Sequence, residues 1–89
     1  MDDTQRLTFS DALLAFVRSE VALFDDPLEM ETDLVLTGLV DSLGVVVVVE
    51  WIEQRLDIEI DPGDVVIEHF ESVGAMVRYL AARGDCTVD

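Results

Sequence analysis

The chain has 89 residues, with 20 aspartates and glutamates against five basic residues, a formal net charge of −15. That length allows one domain with one modest core and leaves little area for a deep enclosed active site. The charge repels nucleic acid and anionic lipid and steers basic protein surfaces toward the chain in a salt-dependent way. Because 51% of residues are apolar, the chain folds instead of remaining an acidic disordered tail. A single cysteine, Cys86, rules out an internal disulfide framework and suits a reducing compartment. The start, "MDDTQRLTFSD", lacks the layout of a signal peptide, and no apolar run is long enough to span a bilayer. The expectation is a cytoplasmic monomer with no membrane span.

From Thr8, "TFSDALLAFVRSEVALF" sets Phe9, Leu13, Phe16, Val17, Val21 and Phe24 on one stripe of a 3.6-residue period. Thr8 with Asp11 resembles a capping box at its start. "DDP" at Asp25 to Pro27 is expected to end this helix, since the residue before a proline is biased away from the α region. Leu28 to Val40 follows neither helical nor strand period. It reads as a long ordered loop pinned by Met30, Leu34, Leu36 and Leu39, of the kind that positions a functional group.

"LTGLVDSLGVVVVVEWIEQRL", Leu36 to Leu56, poses the central question. Five consecutive valines favour a strand, because Cβ branching suits a pleated surface. The only other extended stretch is "DIEI" at Asp57 to Ile60, and two short strands make no stable sheet. Coiled from Ser42 to Leu56, the chain puts Val45, Val48, Val49, Ile52 and Leu56 on one face. Gly44 and the valines cost about 3–4 kcal/mol in propensity against alanine. Burying five apolar side chains at about 1.5–3 kcal/mol each outweighs that, so the segment is a helix.

"DPGDVV" places Asp61 as an N-cap and Pro62 at a first helical position, giving one short turn. "IEHFE" connects. The last helix opens at Ser72, with Val73, Met76, Val77 and Leu80 as its stripe, Arg83 in its last turn and Gly84 to stop it. The sum is an all-α fold: a small four-helix bundle of three long helices and one short, with a long first loop.

Asp41-Ser42 then lies where that loop meets a helix N-terminus. Unpaired backbone N–H groups and the helix dipole favour a phosphate ester there, although Asp41 or Ser42 could equally be a plain N-cap. "GLVDSLG" followed by an amphipathic helix, with the acidity and the helix order, closely resembles the acyl carrier protein family over about residues 7–83 of a single carrier domain spanning 1–89. The resemblance implies that Ser42, flanked by Asp41 and Leu43, receives 4′-phosphopantetheine from coenzyme A. The tethered thiol would then hold an acyl or aminoacyl group as a thioester, and the chain would be no enzyme itself. It implies a phosphopantetheinyl transferase, an adenylating or acyl-loading enzyme, and acyltransferase or synthase modules as partners.

In that family the helix after the serine docks partners through exposed acidic residues, which makes Glu50 and Glu53 candidates. Val46, Val47 and Trp51 are not needed by the core stripe. Val47 and Trp51 therefore join the docking set, unless they pack on the first loop. This departure from carriers of fatty acid synthesis, and the likeness of residues 37–60 to discrete carriers such as the D-alanyl carrier protein, point to a stand-alone carrier of a polyketide or nonribosomal peptide type of pathway, such as antibiotic biosynthesis. The alternative is a non-carrier acidic helical interaction module. A hydrolase built on Ser42 and His69 fails for want of a Gly-x-Ser-x-Gly elbow. No metal site is expected, because Asp25, Asp26, Glu29, Glu31 and Asp33 miss the calcium-loop spacing.

Overall fold

A computed structural model describes residues 8–23, 27–86 and 88. Thr8 is extended and its Oγ1 accepts from the Asp11 amide at 3.0 Å, which starts α1 (Phe9–Phe16) where the capping pattern places it. The coil then widens into a π-helical turn, Val17–Val21, closed by the Ala22 amide on the Val17 carbonyl at 2.8 Å. The helix thus stops at Val21, ahead of the proline. Phe24, Asp25 and Asp26 lie outside the described residues. Phe9, Leu13, Val17 and Val21 are buried, while Phe16 is half-buried at the edge of the stripe.

The valine run coils. Helix α2 (Ser42–Leu56) buries Val48 and Ile52 completely, with Val45, Val49 and Leu56 packed against the core from its flanks. Asp57 ends it in the left-handed conformation, φ 56°, where its amide still reaches the Glu53 carbonyl. A single 3₁₀ turn, Pro62–Asp64, follows, with Asp61 Oδ1 accepting from the Gly63 amide at 2.8 Å. "IEHFE" is more than a connector: Ile67–Phe70 forms a short helix, α3. Buried Phe70 roots it, and the His69 ring stacks on Tyr79 at 4.5 Å. Helix α4 (Val73–Arg83) starts on Ser72, whose Oγ accepts from the Ala75 amide at 3.0 Å, and ends at Gly84 with φ 80°.

The elements pack as a four-helix bundle, and no strand occurs among the described residues. Leu13, Leu34, Leu39, Ile52, Met76 and Leu80 meet at its centre. No helix among the described residues is long and apolar enough to cross a membrane.

The loop between α1 and α2 is ordered by backbone as well as by side chains. Leu34 N donates to the Glu71 carbonyl at 2.7 Å and Gly74 N to the Met30 carbonyl at 2.8 Å, stitching the loop to the start of α4. Arg18 donates twice to the Leu28 carbonyl, at 2.9 and 2.6 Å. Leu34 and Leu39 are buried and Met30 is half-buried, as a pinned loop requires. Leu36 is the exception. Asp33 Oδ1 accepts from the amides of Val35 and Leu36, and the resulting turn lifts Leu36 to 86% exposure.

Candidate functional site

Two good capping residues stand side by side before α2, and the structure divides their work. Asp41 is extended and is the N-cap: its Oδ1 accepts from the Gly44 amide at 2.8 Å, and its carbonyl takes the first helical bond from Val45 N at 3.0 Å. Ser42 is therefore the first helical residue. Its side chain is exposed and its hydroxyl makes no intramolecular hydrogen bond. The amides of Ser42 and Leu43 precede the first i→i−4 bond, so the positive end of the helix dipole opens beside that hydroxyl.

Gly44 fixes how closely this helix end approaches the core. A Cβ there would lie 2.9 Å from Val40 Cγ1 and 3.0 Å from Val21 Cγ1. Only glycine lets the first turn rest on those two buried valines, a role hidden in sequence behind its propensity cost.

Ser42 stands on the rim of an apolar groove of about 680 Å³. Val35 and Gly38 of the loop form one side, Val45 and Val46 of α2 another, and Val66 and Ile67 at the start of α3 the third. Helix α3, unrecognised in sequence because four residues show no period, is what makes this a groove. It is held by a small polar cluster. His69 Nδ1 lies 2.8 Å from the Asp64 carbonyl, and the Tyr79 hydroxyl donates to Asp64 Oδ2 at 2.8 Å. Burial, reinforced by that bond to a carboxylate, pushes the Tyr79 pKa up, so the phenol remains a donor.

The expected docking residues separate into two groups. Val47 and Glu50 are exposed on α2, as is Leu43. Trp51 is not part of that outward set. Its ring stacks on Phe16 at 4.9 Å and meets Phe9 at 5.9 Å, with the Arg55 guanidinium 5.4 Å above it, because an indole beside the core stripe reaches α1. Glu53 is likewise engaged by the fold, its Oε2 accepting from the Ile60 amide at 2.8 Å.

Cations are committed elsewhere. Arg18 holds the loop, Arg55 covers Trp51, Arg78 pairs with Glu31 at 3.0 Å and Arg83 with Asp85 at 2.7 Å. Cys86 is half-buried, and burial raises its pKa, which leaves a poorly nucleophilic thiol. No group of three or more His, Cys, Asp or Glu able to hold a metal ion occurs among the described residues.

An exposed hydroxyl at a helix N-terminus, with two amides uncommitted beside it and an apolar groove adjoining, fits a phosphate ester that carries a long arm. Comparison with curated proteins and with solved structures found no match. The family model described as the phosphopantetheine attachment site matches residues 11–80, which takes in α1, the loop, α2, α3 and most of α4. The chain belongs to this phosphopantetheine-binding carrier family, whose domains carry covalently attached 4′-phosphopantetheine.

Proposed function

We propose that this chain is an acyl or aminoacyl carrier with Ser42 as its point of attachment. One observation carries the assignment: Asp41 performs the capping, which leaves the Ser42 hydroxyl exposed and without a structural task at the helix N-terminus. A phosphopantetheinyl transferase would join Ser42 Oγ to the phosphate of coenzyme A. The hydroxyl gives up its proton and adenosine 3′,5′-bisphosphate leaves. The bound group supplies a flexible arm with a terminal thiol on which an acyl or aminoacyl group rides as a thioester. The chain's own residues do the rest. Asp41 and Gly44 hold the helix end at the surface, the amides of Ser42 and Leu43 face the ester, and Val47 and Glu50 on α2 face the enzymes that serve the arm.

A pathway of the polyketide or nonribosomal peptide type suits the exposed valines on α2, where the carriers of fatty acid synthesis that this sequence resembles commonly have carboxylates. The test is intact mass after incubation with coenzyme A, Mg²⁺ and a broad-specificity phosphopantetheinyl transferase. The wild type should gain one phosphopantetheine, and Ser42→Ala none. A folded wild type that stays unmodified would favour a non-carrier interaction module.

A further inference from the structure

Helix α2 has two apolar stripes, and only one is covered. Val48 and Ile52 face the core, while Leu43, Val46 and Val47 recur at i, i+3 and i+4 on the outward side, with exposures of 70%, 50% and 39%. Across the groove, Ile67 of α3 is 63% exposed, and it shares the groove lining with Val46 and Ser42. These residues ring the hydroxyl. Whatever enzyme reaches Ser42 must cover them, and that position, not the patch alone, names the occupant.

The charge around the patch is sparse for so acidic a chain. Asp41 is held on the Gly44 amide and Asp33 on the amides of Val35 and Leu36. Glu50, one turn beyond Val47, and Glu68, beside Ile67, are the exposed carboxylates that flank the patch on its two helices.

Building on the carrier reading, we infer that enzymes serving the Ser42 arm dock through an apolar contact with Leu43, Val46, Val47 and Ile67, not through charge pairing with α2. The partner surface is a shallow apolar one that takes these side chains out of water. The net charge of −15 contributes long-range attraction to basic proteins and little to the seated complex. Recognition is then tolerant of salt, which screens exposed charge pairs but not apolar burial.

The experiment follows transfer by a broad-specificity phosphopantetheinyl transferase at saturating coenzyme A, with the full chain as varied substrate. Raising NaCl from about 50 to about 500 mM should change KM for the carrier by less than about threefold. The double variant Val47→Thr/Ile67→Thr keeps branched, exposed side chains and the fold, checked by circular dichroism. It should raise KM by about fivefold or more, with kcat unchanged, since docking is uniform binding. Glu50→Gln and Glu68→Gln should each stay within about twofold. A tenfold rise in KM with salt, matched by the glutamine variants, or a double variant with wild-type KM, would overturn apolar docking while the mass gain on Ser42 stands. A wild type that gains no mass would overturn the carrier reading and this inference together.

Discussion

Helices α2 and α4 begin in nearly the same way, and the small difference separates structure from chemistry. Each has a short polar N-cap whose side chain accepts from the third helical amide: Asp41 from Gly44 at 2.8 Å, Ser72 from Ala75 at 3.0 Å. Each has a glycine in its first turn. At α4 the serine is itself the cap, 4% exposed, and its hydroxyl is consumed by the fold. At α2 an aspartate has taken that task one residue earlier, so the serine sits inside the helix with its hydroxyl exposed. A serine is structural or chemical according to one step of register relative to the cap.

The comparison breaks most decisively if the two serines exchange phenotypes. Ser42→Ala should abolish phosphopantetheine transfer and leave the urea midpoint near that of the wild type, since alanine is at least as good a helix former. Ser72→Ala should do the reverse. It removes a buried cap and orphans the Ala75 amide, costing about 1–2 kcal/mol by urea denaturation, while the mass gain on modification persists. A stable Ser72→Ala or an unstable Ser42→Ala would show that the register argument is mistaken.

The glycines sharpen it at smaller amplitude. At Gly44 a methyl group meets the buried side chains of Val40 and Val21, which cannot swing away without opening the core. Overpacking of about 1–3 kcal/mol, less about 1 kcal/mol of helix propensity, leaves Gly44→Ala destabilised by about 1 kcal/mol. Transfer to Ser42 should slow with it, because the helix end must move outward. At Gly74 the crowding atoms belong to the carboxylate of Glu31, an exposed and flexible side chain. Gly74→Ala should therefore remain within about 0.5 kcal/mol of the wild type, propensity offsetting the displaced carboxylate. Equal losses at the two glycines would show that packing does not distinguish the two helix starts.

What could be read from the sequence follows the same physics. The valine block was legible as a helix because Val45, Val48, Val49, Ile52 and Leu56 keep a helical spacing that no strand partner could rival. The choice of cap was not, since aspartate and serine are near-equal N-caps and only backbone geometry separates them. Helix α3 escaped because Ile67–Phe70 is a single turn held by tertiary contacts, with His69 on Tyr79 and buried Phe70. Trp51 was misplaced because a stripe fixes directions, not reach, and the indole extends to Phe16. The π-helical turn after Phe16 has no sequence signature at all; it follows from how Val17 and Val21 both reach the core.

The smallest expected effect concerns what lies over Gly74. Glu31 and Arg78 join the loop to α4, and the hydrogen bond from Arg78 holds the Glu31 carboxyl below its ordinary pKa. A carboxylate whose pKa is lowered on folding adds stability above its unfolded pKa, and that contribution is lost as pH falls through the folded value. Glu31→Gln should thus unfold slightly earlier than the wild type at neutral pH, and the two should converge in acid once the wild-type carboxyl is protonated. Both side chains are about two-thirds exposed, at 64% and 66%, so solvent and salt screen the pair and the neutral-pH difference should shrink further at high ionic strength. The backbone bonds from Leu34 to Glu71 and from Gly74 to Met30 remain in the variant, which is why the loop should keep its place and Ser42 its rate of modification. A loss of modification in Glu31→Gln would mean that this exposed pair, and not the backbone stitching beneath it, sets the position of the loop that leads into α2.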